Sequence, residues 1–172
     1  RVRVRVRVAF AKYRNILKSN IPICLKRKLY HQCIEPVITY GCQVWALNRG
    51  MENKLRTTQR SMERAIINVT KRDHITSKKI REISGMTDII STIKKLKWSW
   101  AGHISRMKDN RWTQQTTEWM PIGYKRERAR PMTRWEDEII KFMGVPWNRT
   151  AQNRCGKFKV RPSSICGLIM AK

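Results

Sequence analysis

Acidic residues are scarce in this chain. Twelve Asp and Glu stand against thirty-eight Lys and Arg in 172 residues, a formal net charge of +26. No two aspartates are adjacent, and the only carboxylate cluster is Glu136, Asp137 and Glu138. Successive helical residues point about 100° apart, so these three cannot hold one metal together. A glycine-rich phosphate loop, a serine nucleophile elbow and a His-Glu metal motif are all missing. His31, His74 and His103 show no Cys or carboxylate partner at ligand spacing. On its own residues the chain does not read as catalytic: no catalytic residue, no metal ligand and no cofactor site is assigned.

Long apolar runs are missing as well. No stretch of about eighteen apolar residues occurs, which excludes a spanning helix, and no cleavable signal pattern opens the sequence. The expectation is an intracellular protein, nuclear or nucleocytoplasmic, with no membrane partner. Paired cysteines are also absent: Cys24, Cys33, Cys42, Cys155 and Cys166 are odd in number and form no CxxC. The regular step of nine between the first three turns a helix through about half a revolution, sending neighbours to opposite sides. Reduced, mostly buried thiols are expected, rather than a disulfide framework or a zinc site.

What the chain does have is charge and enough apolar residues for a core, 41% of the total. An isolated domain at +26 repels itself unless a polyanion offsets the charge. Nucleic acid is the commonest such partner, because each neutralised phosphate releases condensed counterions. An anionic membrane is the rival, but the basic residues are spread along the whole chain rather than gathered in one segment.

The first eight residues, RVRVRVRV, are a dipeptide repeat. Strict alternation describes a strand with one cationic and one apolar face; a translated simple nucleotide repeat gives the same pattern. A frayed or strand-like appendage that is not a site is expected there. From Ala9 onward the signals are helical: a short candidate over 9–19, then an apolar stretch from Pro22 to Trp45, bent by Pro36 and Gly41. Over 51–70, Met51, Leu55, Thr58, Met62, Ile66 and Val69 recur at spacings of three and four as one apolar stripe. Away from it Arg56, Arg60 and Arg64 stand one turn apart, a ridge that is either a solvated face or a phosphate contact.

A short helix over about Ser77–Ser84 should end at Gly85. Thr87 can cap a longer one running to about Lys108. On that helix Ile89, Ile93, Leu96, Trp100, Ile104 and Met107 share a face, with His103 at its edge as a core histidine. Trp98 lands opposite, beside Lys94 and Lys95; it either packs on a neighbouring segment or stacks on a base. The 77–84 and 87–108 pair also reads as a helix-turn-helix. Trp112 and Trp119 suit one side of a further short helix. A basic loop, PIGYKRERARP, follows, with Lys125, Arg126, Arg128 and Arg130 as a cationic strip that either wraps a phosphate backbone or links two helices. Thr133 and Glu136 form a capping box for a helix through about Phe142, with Trp135 and Ile139 on its buried side. One more helix is expected beyond Trp147. The fold class is therefore all-α: an irregular multi-helix bundle of about six to eight helices, with a basic loop and disordered or strand-like termini.

Four stretches carry a resemblance: IEPVITYGCQVWALN, ENKLRTTQRSMERAIINVTKRDHI, IKKLKWSWAGHISRMKDNRWTQQTTEW and RARPMTRWEDEI. Over about residues 9–158 they resemble the C-terminal region of non-LTR retrotransposon reverse transcriptases, the jockey-like endonuclease-reverse transcriptase family. The resemblance implies a segment from beyond the polymerase palm: thumb-like helices over 9–70, a helical extension over 71–120, a basic linker over 121–132 and C-terminal helices over 133–158, with 159–172 a tail. It implies RNA and DNA as partners, an RNA–DNA hybrid or element RNA gripped next to the missing palm. The palm's aspartates and magnesium belong elsewhere, so no catalytic residue carries over to this chain. The candidate binding residues, read from charge and helix position and not carried over from the family, are Arg56, Arg60, Arg64, Lys94, Lys95, Trp98 and the four cations of the basic loop. Departures from the family pattern are the Arg-Val repeat, Ala129 where relatives have glycine, and the tail; together they read as a truncated copy. The alternatives are an incomplete stretch of a full endonuclease-reverse transcriptase and a helix-turn-helix DNA-binding protein.

Overall fold

The computed structural model describes residues 2–107, 112–118, 134–144 and 147–152. Every regular element among them is helical, as the sequence pattern requires. The chain divides into two compact units: Arg1–Gly41 with Arg49–Thr92, and Cys42–Asn48 with Ile93–Lys172. The basic loop and the tail lie outside the described residues.

The first unit opens with α1 (Val2–Lys18), which absorbs the Arg-Val repeat. This corrects the strand-like reading of that end. In a strand the valines would share one face, whereas in a helix successive ones diverge by about 200°. Val6 is accordingly buried and Val8 is 65% exposed. The helix wins because Val6, Phe10, Tyr13 and Leu17, spaced by four, three and four, make one stripe. That stripe packs α1 on later helices, which outweighs a propensity penalty of about 0.5 kcal/mol per valine.

Pro22 starts α2 (Ile23–Leu29), its carbonyl accepting from the Leu25 and Lys26 N–H groups. The bend expected at Pro36 is made by a widened, π-helical stretch, Tyr30–Ile34, in which the Glu35 N–H reaches back to the Tyr30 carbonyl. Pro36 has no N–H, and its ring would meet the carbonyl four residues back; widening the turn relieves both. Helix α3 (Glu35–Thr39) then stops short of Gly41 at φ +68°. His31 does have a carboxylate partner: it bonds Glu35 one turn on, and Glu35 also accepts from Thr92 Oγ1 at 3.0 Å.

Helix α4 (Arg49–Ile66) buries Gln59, Met62, Glu63 and Ile66, while Met51 is half exposed. Met62 and Ile66 of the expected stripe lie in the core, but the buried face also takes in Gln59 and Glu63, so its centre on this helix is partly polar. Helix α5 (Ser77–Ser84) has the ends expected of it. Thr76 caps its start through the Lys79 N–H, and Gly85 closes it at φ +61°. The Ser84 carbonyl, free at that end, accepts from Arg27 Nε at 2.9 Å.

Helix α6 (Ile89–Ser105) gives its first turn to the first unit and the rest to the second. Its start is capped by Gln59 and not by Thr87: Gln59 Oε1 accepts from the Ile89 N–H at 2.9 Å. In the second unit the wheel reading needs a larger correction. Trp98 is buried, Trp100 only partly so, and His103 is exposed beside the Trp100 ring. Along α6 Ile89, Ile93 and Ile104 are buried as the wheel placed them, with Ile90, Lys97 and Ala101 beside them, so the buried stripe is centred on a lysine that an apolar wheel discards. Lys97 reaches Glu138 of α8 (Asp137–Met143) at 3.0 Å. Its ammonium also sits 5.5 Å above the Trp135 ring.

Around that pair Trp98, Ala101, Ile139, Trp147 and Ala151 form the core of the second unit, bringing in α9 (Trp147–Gln152). Trp135 meets Trp147 edge to face, and its Nε1 donates to the Gln43 carbonyl at 2.6 Å. At the start of α8 the Arg134 N–H is held by Asp137 Oδ2, while Glu136 makes no side-chain cap; Thr133 lies outside the described residues. Helix α7 (Trp112–Glu118) leaves Trp112 80% exposed. Among the described residues no helix is long and apolar enough to cross a membrane.

Candidate nucleic-acid interface

Helices α1 and α4 of the first unit carry cations on facing stripes. On α1, Arg7, Arg14 and Lys18 are exposed and follow one line at spacings of seven and four. On α4, Thr57, Ser61 and Arg64 follow another at four and three. Between them runs a groove of about 700 Å³. Arg7, Arg14 and Lys18 form one wall; Arg64 and Lys71 stand on the other side with the hydroxyls of Thr57, Ser61 and Thr70. Phe10, Ala11, Met62 and Ala65 contribute its apolar lining.

No carboxylate lines this groove. Five cations around one concave surface raise the local positive potential above that of the same charges spread over a convex face, offset at one end by Asp73, whose Oδ2 accepts from the Thr70 N–H at 2.7 Å and from its hydroxyl at 3.0 Å. The acidic group nearest in sequence, Glu63, is fully buried on the other side of α4. Burial pushes its carboxyl pKa up; Arg81 is the main opposing influence, Asp88 adds to the rise, and Arg60 and Arg64 oppose it.

The binding residues expected from the sequence fall in different places. Arg64 lines the groove, whereas Arg56 and Arg60 are half-buried outside it. Lys95 is exposed in the second unit. Lys94 lies 3.5 Å from Glu138, so its charge is already partly offset. Trp98 is 4% exposed and enclosed by Ile139, Trp147 and two alanines, so it packs and has no face open for a base. Lys125, Arg126, Arg128 and Arg130 lie outside the described residues. The sequence reading missed Arg7, Arg14, Lys18 and Lys71. The spacing of the first three was visible, but a period-two reading of the repeat separated Arg7 from the helix that carries it.

At the start of the second helix of the helix-turn-helix candidate, Ile89, Ile90 and Ile93 are buried and Thr92 is engaged by Glu35, while Ser91 and Lys94 are half-buried and Lys95 is exposed.

No family model matches the chain. No solved structure matches it. It is similar to an uncharacterized transposon-derived protein of Caenorhabditis elegans, at 32% identity over 160 residues, covering 85% of this chain and 57% of that protein. The chain therefore spans little more than half the length of that relative, and the similarity is consistent with a transposable-element origin.

Proposed function

We propose that this chain is a nucleic-acid-binding segment of a transposable-element protein, the helical region that follows the palm in a non-LTR retrotransposon reverse transcriptase. It holds RNA or DNA by the phosphate backbone and carries out no chemistry itself. The observation that carries this reading is the α1–α4 groove, with five cations and no carboxylate in its lining. The net charge of +26, the motif resemblance and the similarity to a transposon-derived protein support it.

Phosphate contacts position a nucleic acid without reading its sequence. The chain should therefore bind many sequences with similar affinity. If the groove's five cations each neutralise one phosphate of a single strand, log K against log salt has a slope of about −3 to −4. Titrating labelled oligonucleotides at several salt concentrations tests this. Affinity that ignores salt, or that depends on one base sequence, rules the reading out.

A further inference from the structure

Resting on that reading, we infer that Lys26, an interior cation outside the groove, is a positioning residue for it: Lys26 fixes the end of α4 from which the chain carries Lys71 back towards α1. Lys26 is 7% exposed, and its ammonium donates to the Ile66 carbonyl at 3.1 Å. Ile66 is the last residue of α4 and fully buried, so its carbonyl has neither a following helical turn nor solvent to bond. The N–H groups just beyond it are already engaged. Ile67 donates to the Glu63 carbonyl at 3.1 Å and Val69 to the Arg64 carbonyl at 2.9 Å. A cation at this place also meets the negative end of the helix dipole.

The chain beyond Ile66 forms one end of the groove. Asn68 reverses it with a left-handed backbone, φ +57°, of the kind that closes helices. Its Nδ2 then donates at 3.3 Å to the carbonyl of Lys18, the last residue of α1, which ties the two walls together. Two residues on, Asp73 holds the Thr70 N–H and hydroxyl. Lys71 follows Thr70 directly and lines the groove with Asn68, Val69 and Thr70. A lysine's stem is flexible, so where its ammonium can reach is set by where its backbone stands. That backbone is anchored at Ile66, Asn68 and Thr70, and the buried anchor is the one made by Lys26. Without it the Ile66 carbonyl loses its partner, the last turn of α4 loosens and Lys71 leaves its place on the groove wall.

The test uses the full chain and a short fluorescein-labelled RNA–DNA hybrid of mixed sequence, titrated by anisotropy at several salt concentrations. Lys26→Met keeps the apolar stem and removes the ammonium. It is compared with Lys71→Gln, with Arg7→Gln, and with the double variants that join it to each. Lys28→Met, an exposed site on the same helix, controls for charge. Asn68→Gly keeps the left-handed turn and removes only the amide. Thermal unfolding followed by circular dichroism sets the titration temperature well below each midpoint.

Lys26→Met and Lys71→Gln should each weaken binding by about three- to fivefold, with the salt slope shallower by about 1. Their double variant should bind no worse than either single one, because the same contact is already lost. Lys26→Met with Arg7→Gln should instead show the product of the two losses, and Lys28→Met should lose much less than Lys26→Met. Asn68→Gly should unfold with the wild type and yet bind as weakly as Lys71→Gln. Wild-type affinity in Lys26→Met, or losses that multiply with Lys71→Gln as they do with Arg7→Gln, overturns the inference and leaves the nucleic-acid reading standing. If Lys26→Met fails to fold, undiminished binding by Asn68→Gly overturns it in the same way. A wild type that does not bind the hybrid at low salt overturns both.

Discussion

The carboxamide of Gln59 joins α4 to the start of α6: its oxygen accepts from the Ile89 N–H at 2.9 Å and its nitrogen donates to the Thr87 carbonyl at 2.6 Å. Gln59 and Ile89 are each 1% exposed, so the Ile89 N–H has no water as a substitute partner, whereas Thr87 is exposed. Gln59→Leu keeps the volume and removes both bonds. We expect it to lower stability by about 1–3 kcal/mol, read as a fall in urea midpoint. An unchanged midpoint would mean that the first turn of α6 finds other partners.

Glu63 gives the protein a pH dependence of defined sign. Burial raises its folded pKa, so the folded state binds the proton more tightly than the unfolded chain. This group's contribution is therefore most favourable below the ordinary carboxylate range and declines as pH rises towards the raised value. Glu63→Gln mimics the neutral form at every pH. The variant's melting temperature should exceed the wild type's at pH 7.5, and the difference should close by pH 4. A constant difference across that range contradicts the assignment.

Gly85 is constrained twice. It closes α5 at φ +61°, and a Cβ there would overlap the guanidinium of Arg27, which bonds the Ser84 carbonyl. Gly85→Ala should cost about 1–2 kcal/mol from the left-handed backbone alone, more if Arg27 is displaced. Thermal unfolding of Gly85→Ala beside Arg27→Ala separates the two causes. If the glycine variant melts with the wild type, the left-handed closure is not required.

In the second unit the pair to break is Lys97 with Glu138. Lys97 is wholly buried, and its ammonium relies on that carboxylate at 3.0 Å. Glu138→Gln leaves a buried cation without its counter-ion and should destabilise by about 3–5 kcal/mol. Combining Lys97→Met with Glu138→Gln should recover most of the loss. Chemical denaturation of the single and double variants decides it: equal losses in both would show that packing, not charge, is what Glu138 provides.

Cysteine reactivity reports on the first helices independently of nucleic acid. Cys24 is exposed, whereas Cys42 is buried and its thiol is pushed up to about 11 by that burial. At pH 8 iodoacetamide should modify Cys24 in the native protein and Cys42 only after denaturation, as read by peptide mass spectrometry. Rapid native labelling of Cys42 would contradict the packing around it.

The local signals legible in the sequence were those that need only neighbours: helix over strand from Ala9 onward, the stop at Gly85, the disturbance at Pro36 and the net charge. Each depends on backbone geometry or composition within a few residues, so no distant partner has to be known. Which side of each helix faces inward was another matter. Sorting residues by polarity sends Gln59, Glu63 and Lys97 to the surface, and Trp100 to the core in place of Trp98. Gln59 can be buried only because Ile89 and Thr87 arrive from about thirty residues away, and Lys97 only because Glu138 arrives from forty-one. The same holds for the candidate site. Sequence alone placed Arg64 on a basic ridge, but the wall facing it, Arg7, Arg14 and Lys18, belongs to a helix that forms one side of a groove only where it packs against α4. Polar burial and concave charge both require two segments to meet, and that meeting is made by tertiary structure.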